Sequence, residues 1–194
     1  MKVTHTRRGM PSGFTAVELM VTLAVAAILI ATALPNLRTY VQNARRDSLI
    51  DGLVASLNYA RTKALDLDQA TYFCPGISTP TSTTCPGGSW SNGWELIATS
   101  IGGTVATQLA THSMSGASDA PSVTATNGST SIEFSGNGVV TILSSSASNS
   151  DEIFVICDAR GASSARAVEI NAAGYIQSSS TNGQAPDGTA LSCS

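Results

Sequence analysis

Gly13-Phe14-Thr15-Ala16-Val17-Glu18 decides how the rest of this chain is to be read, because it sets a carboxylate at the mouth of a long apolar run. From Leu19 to Leu34 no residue is charged, and the apolar character extends from Phe14 to Leu37. That is long enough to cross the hydrocarbon of a bilayer as a helix of about 20 residues. A carboxylate in such a setting costs on the order of 3 kcal/mol on insertion scales, so Glu18 demands a partner group in place of lipid. Met1 to Gly13 carries Lys2, Arg7 and Arg8 and no acid, which by the positive-inside rule holds this end in the cytoplasm and sends the chain beyond Leu37 outward. A secretory signal would put small residues and a cleavage site after its apolar core. Here Pro35-Asn36-Leu37-Arg38 follows, and the helical pattern continues.

The remaining composition agrees with export. Of 194 residues, about 150 lie beyond the apolar segment, the size of one domain. Charged residues make up only 12% while Ser, Thr, Gly and Asn abound, a composition suited to short strands and turns. All four cysteines, Cys74, Cys85, Cys157 and Cys193, follow the apolar run, which favours two disulfides in an oxidising compartment. Free thiols or a metal cluster are the alternatives, but no C-x-x-C spacing occurs and histidine is scarce, so neither a metal nor another cofactor is expected. Enzyme chemistry finds little support. His5 precedes the apolar run, and His112 sits in a Thr/Ser-rich stretch with no acidic partner or nucleophile elbow, so it reads as a lone surface histidine. No Gly-rich phosphate loop is present.

Helical spacing continues past Pro35, which by lacking an amide donor should interrupt or bend the helix. Leu49, Leu53, Leu57, Ala60 and Ala64 recur every three or four residues, giving an amphipathic second half whose stripe should pack on a sheet. A helix from Phe14 to about Leu65 would measure roughly 78 Å. Strands are expected at 71–74, 94–98, 104–109, 131–134, 139–143, 153–157, 165–170 and 175–177. Gly136-Asn137-Gly138 and Asn171-Ala172-Ala173-Gly174 read as hairpin turns, so neighbouring strands should be antiparallel. The stretches 113–131 and 144–150 read as surface loops.

The basic leader, Gly13, and Phe14-Thr15-Ala16-Val17-Glu18-Leu19-Met20 together resemble the class III prepilin signal of type IV pilins and type II secretion pseudopilins. The resemblance implies that a prepilin peptidase cuts between Gly13 and Phe14 and that the new Phe14 amine is methylated. It also implies that Glu18 pairs with the N-terminal amine of a neighbouring subunit. Physically, an amine and a carboxylate buried together relieve each other's desolvation. The matching proline of pilins, here Pro35, marks where the helix loosens as subunits pack.

A second resemblance covers the head. Cys74-Pro75, Cys85 and Trp90-Ser91-Asn92-Gly93-Trp94 look like the GspH/FimT/FimU group of minor pilins and pseudopilins, in which a cysteine-bounded loop precedes a Trp-x-x-Gly-Trp motif opening a strand. It implies a Cys74–Cys85 disulfide, worth about 3 kcal/mol by chain entropy, and a Cys157–Cys193 bridge tying down the C-terminal tail. Trp94 suits the core. The implied fold is α+β, a long N-terminal helix on an antiparallel sheet or sandwich with two disulfides. Its parts are a leader (1–13), a transmembrane or filament-core helix (14–37), an amphipathic helix (38–68) and a β-rich head (69–194).

In function the resemblance implies a structural minor pilin of a type IV pilus tip or priming complex, or else a type II secretion pseudopilin. The chain would rest in the bacterial inner membrane, head in the periplasm, before joining other pilins or pseudopilins outside. Some FimT-type members bind DNA through a Gly-Arg-x-Arg motif, but here that place reads Gly174-Tyr175-Ile176-Gln177. Beyond residue 70, Arg160 and Arg166 face eight acidic residues, a net of −6, so DNA is not an expected partner.

Overall fold

The computed structural model describes residues 13–77, 85, 87–99, 106–114, 116, 120–144 and 151–193. The residues before Gly13 that carry the expected leader, Lys2, Arg7 and Arg8 among them, lie outside them. A single helix, α1, spans Ala16–Leu67, 52 residues. Nine strands follow among the described residues: β1 (Thr71–Pro75), β2 (Gly93–Thr99), β3 (Ala106–Ser113), β4 (Ser122–Ala125), β5 (Ser129–Phe134), β6 (Val140–Ser144), β7 (Asp151–Cys157), β8 (Arg166–Asn171) and β9 (Ile176–Ser178). They form a five-stranded sheet in the order β3-β2-β1-β5-β6 and a four-stranded sheet in the order β4-β7-β8-β9, antiparallel throughout.

The chain divides into two compact units, one ending at Val41 and one covering Gln42–Ser194. In the second, α1 buries the stripe expected from spacing, Leu49, Leu53, Leu57, Ala60 and Ala64, together with Ile50. These side chains meet Phe73, Leu96, Ile132 and Phe134 of the larger sheet and Phe154, Ile156, Val168 and Ile170 of the smaller in one continuous core. At its C-terminus α1 is closed by Asp68, at φ 50°, and by the Gln69 N–H donating to Ala64 C=O at 3.2 Å, the 6→1 bond of a Schellman stop. Gly136 packs directly on Asp68, where a Cβ would lie 2.8 Å from the Asp68 carbonyl carbon. The expected hairpin turns are present, joining β5 to β6 and β8 to β9; Gly138 and Gly174 sit at φ 84° and 75°.

Three expectations need correction. The stretch 113–131 is not all loop, since β4 lies inside it and pairs with β7. Its Ser-Val-Thr-Ala sequence presents one fully buried apolar side chain, Val123, too little to stand out from its polar neighbours. β3 runs on to Ser113, four residues past its expected end, because pairing with β2 carries a polar sequence that propensity alone would release; residues 104 and 105 lie outside the described set. Finally, the helical assignment is continuous through Pro35, so the proline does not interrupt α1.

Candidate assembly site

Thr15 starts α1. Its Oγ1 accepts from the Glu18 N–H at 3.2 Å, and its C=O accepts from the Leu19 N–H at 3.2 Å. Thr15-x-x-Glu18 is therefore the sequence of a capping box with its hydroxyl half formed, a signal legible at the outset and missed there. It also puts Glu18 in the first turn, where the positive end of the helix dipole favours an anion. Among the described residues no side chain pairs with the Glu18 carboxylate. Gly13 and Phe14 precede the cap, and Phe14 is 78% exposed.

The helix that Glu18 opens is uncovered. Val17, Leu19, Met20, Leu23, Ile28 and Leu29 are all exposed, and α1 is long and apolar enough to cross a membrane. Its hydroxyls are already satisfied within the helix, Thr22 donating to Leu19 C=O at 2.8 Å and Thr32 to Leu29 C=O at 3.0 Å. That suits a segment meeting only apolar neighbours, where an unsatisfied hydroxyl would be costly. Glu18 thus stands as the charged exception on an otherwise self-contained surface.

In the head, Trp90, Gly93 and Trp94 work as structure. Trp90 stacks on Phe73 at 5.4 Å and meets Phe154 edge-on at 4.9 Å, and its Nε1–H donates to Ser129 C=O at 3.0 Å, so one ring joins both sheets. Trp94, 1% exposed, lies flat against His112, 4.2 Å between centroids and 9° between planes. His112 is therefore half-buried and stacked, not a lone surface histidine, and burial lowers its pKa below the usual value. Gly93 sits at φ 110° and ψ −167°, and any Cβ there would overlap the His112 carbonyl oxygen. The disulfides Cys74–Cys85 and Cys157–Cys193 are both formed.

A network fixes α1 to the smaller sheet, and only its Arg160–Asp158 pair, two residues apart, is legible in the sequence. Arg46, 3% exposed, donates to Ser164 C=O at 2.5 Å and to Asp47 at 3.1 Å. Arg160 grips Asp158 through two nitrogens, at 3.0 and 2.5 Å, and reaches Asn43 at 2.8 Å. Arg166 donates to the Ser179 carbonyl and approaches Asp47 at 3.6 Å, while Glu169 accepts from Gln177. Burial alone would raise the Asp158 pKa, but the hydrogen bonds and charge of Arg160, with the charge of Arg46, hold it below the usual carboxylate range. Nothing in the spacing of Arg46, Arg160 and Arg166 announces this convergence. Glu152, fully buried, accepts from the backbone N–H groups of Asn127, Ser129 and Ile153 at 3.0–3.2 Å, fixing the turn before β5. Among the described residues no cluster of metal-ligating side chains occurs.

The model of the family described as type II transport protein GspH matches residues 49–174, which run from the helical core stripe to the second hairpin. Two crystal forms of the type IV minor pilin FimU of Pseudomonas aeruginosa share the fold. One aligns with a TM-score of 0.51 at 22% identity over 72% of this chain and 92% of that one. The other gives 0.50 at 21% identity over 72% and 98%. No curated protein matches the sequence. With well over half of its length accounted for by the family model, on a helix-and-double-sheet fold with two disulfides, the chain belongs to the GspH family of pilin-like proteins.

Proposed function

We propose that this protein is a minor pilin, incorporated into a type IV pilus as part of the complex that primes its assembly. Glu18 carries the reading: a carboxylate with no side-chain partner among the described residues, in the first turn of an apolar, uncovered helix. On this reading a prepilin peptidase removes residues 1–13, Phe14 becomes the methylated N-terminus, and Glu18 is neutralised by the amine of an adjacent subunit. Residues 14–37 then exchange lipid for sister helices, with Pro35 the place where α1 loosens under packing. Residues 38–68 stay with the head (69–194), outside the inner membrane and finally at the pilus tip. The role is structural, not enzymatic.

The family description favours a second reading, a pseudopilin of type II secretion machinery. Two disulfides and a Ser/Thr-rich head suit the more exposed life of a pilus. DNA binding is disfavoured on a further ground, because the head's two arginines are already engaged with Asp158, Asn43, Ser179 and Asp47. The test is Glu18→Ala: the variant should reach the inner membrane normally yet disappear from sheared surface filaments. Full incorporation would refute the assigned role. Deleting the gene and scoring pilus-dependent motility against protein secretion separates the two machineries.

A further inference from the structure

Asparagine followed by glycine is prone to a spontaneous change, because glycine has no side chain to keep its amide nitrogen from closing on the asparagine side chain. The chain holds four such pairs, Asn92-Gly93, Asn127-Gly128, Asn137-Gly138 and Asn182-Gly183. In each the glycine N–H donates to a carbonyl, of Trp90, Ala125, Ser135 and Ala165 in turn, so the fold restrains them all. They differ in what must give way before the nitrogen is released.

Three lie within strand pairing or its turns. Asn92 accepts at its C=O from the Met114 N–H, and Gly93 opens β2 against β3. Asn127 is fixed at both ends, its Nδ2 donating to Asp151 C=O at 2.7 Å and its backbone N–H to the buried Glu152 at 3.0 Å. Asn137 turns its Oδ1 to the Val139 N–H at 3.2 Å, between β5 and β6. Asn182 is different: it is exposed, follows β9, and among the described residues its side chain bonds to nothing. Gly183 is held by two backbone bonds, its N–H to Ala165 C=O at 2.8 Å and its C=O to the Leu191 N–H at 2.9 Å. Past it the chain is fastened by the Gln184–Ala190 bridge, by Leu191 packing on the cluster of Val155, Cys157 and Ala165, and by the Cys157–Cys193 disulfide. A terminal segment stays ordered only where it is tied down, and the outer end of that tie, Cys193, is exposed.

We propose that Asn182-Gly183 is a site of self-modification, where asparagine converts to isoaspartate or aspartate when the tail lifts, and that the Cys157–Cys193 disulfide sets its rate. Local opening of this kind needs no global unfolding. The Gly183 nitrogen gives up its proton and bonds to Asn182 Cγ; the Cγ–Nδ2 bond breaks, and the nitrogen that leaves takes up a proton and departs as ammonia. Water then opens the five-membered ring at either carbonyl, so the only co-reactant is solvent. Isoaspartate adds one carbon to the main chain between residues 182 and 183, and Gly183 then loses its register on Ala165. That carbonyl lies between Ser164, which accepts from Arg46, and Arg166, which donates to the Ser179 carbonyl, so the change loosens the end of the smaller sheet that grips α1.

The test keeps the full chain in detergent at mildly alkaline pH and maps its peptides by mass, scoring the amide-to-acid gain and the isoaspartate content at each Asn-Gly pair. In the unaltered chain Asn182 should be modified ahead of Asn92, Asn127 and Asn137. Cys157→Ser combined with Cys193→Ser should raise the rate at Asn182 roughly fivefold or more, the effect of releasing one net hydrogen bond, while Asn127 stays unchanged. Asn182→Gln, whose ring closure needs an extra atom, should lose the signal. A different pair leading in the unaltered chain, no lead for Asn182, or a smaller rise on removing the disulfide would overturn the proposal. If the variant without the disulfide misfolds, all four sites rise together, and the order in the unaltered chain decides.

Discussion

Replacing Gly93 with alanine should be the most destructive single-methyl change in the head. At φ 110° and ψ −167° the residue occupies a region essentially confined to glycine, and holding alanine there costs about 1–3 kcal/mol. The added methyl would also overlap the His112 carbonyl oxygen and lie 3.1 Å from Met114 N. These are backbone atoms of a paired strand, which cannot turn aside as a side chain can. Relief requires β3 to withdraw from β2, breaking the bonds around the Trp94–His112 pair at about 1 kcal/mol each for two or more. The sum is about 3–5 kcal/mol, a large part of the roughly 5–15 kcal/mol that holds a domain together. At about 2–4 °C per kcal/mol for a chain of this size, the melting temperature should fall by about 6–20 °C. Gly128→Ala is the control, because Gly128 has φ 64° and no heavy atom within 4 Å of an added Cβ. It should lose only the left-handed backbone cost, about 1–2 kcal/mol. Thermal unfolding of the full chain in detergent, followed by circular dichroism, measures both. Equal losses in the two variants would refute the argument that β2 and β3 meet too closely at Gly93 for any side chain.

Both disulfides should matter, and unequally. Chain entropy assigns about 3 kcal/mol to the short Cys74–Cys85 loop and about 4 kcal/mol to the longer Cys157–Cys193 loop, their separations being 11 and 36 residues; paired Cys→Ser variants in denaturant titrations check the order. Stability should also fall in acid in two stages. Burial lowers the His112 pKa, so the unfolded chain takes up a proton first; the loss starts as pH drops below the ordinary histidine value, about 6.5, and is absent in His112→Gln. Asp158 has a lowered pKa as well, so its contribution is full above the unfolded carboxylate value and disappears as pH falls through the folded one. Melting curves of Asp158→Asn across pH 2–5 should lack that second decline. The isolated acidic chain should give no gel shift with duplex DNA at physiological salt; low micromolar binding would reverse the ranking of functions.

The elements with strong periodicity were legible from the residues alone. Leu49, Leu53, Leu57, Ala60 and Ala64 point to one face of a helix because apolar spacing near 3.6 admits few other readings, and those residues are buried. Gly136–Gly138 and Asn171–Gly174 declared their turns through residues that accept positive φ. One edge strand, β4, and the end of another did not stand out in the sequence. β4 and the far half of β3 are Ser/Thr-rich, and what makes them strands is a partner distant in sequence, as in the pairing of Ser122 with Cys157. The rest of the arginine network was equally hidden, since Arg46 and Ser164 meet across 118 positions. At the other end the signal is local: Thr15 three residues before Glu18 spells a helix cap.

That cap bears on what Glu18 can do. A capping-box glutamate is favoured at a helix start by the dipole and by its own geometry, typically by about 0.3–1 kcal/mol, whereas placing a carboxylate in hydrocarbon costs on the order of 3 kcal/mol. The local benefit therefore explains why the helix begins cleanly at Ala16, but it does not offset the membrane cost. Lipid covers Val17, Leu19 and Met20 as well as a sister helix would; it has nothing to offer the carboxylate. Only a neighbour that brings a cation answers both, so on the proposed reading the preference for filament over membrane resides in Glu18 and not in the apolar surface around it. The two can be told apart by substitution. Glu18→Gln keeps the cap and most of the side-chain volume while removing the charge. If capping were its main task, Glu18→Gln would assemble nearly as well as the unaltered chain and Thr15→Ala would fail. If charge pairing is the task, Glu18→Gln should leave the sheared filaments and Thr15→Ala should remain in them.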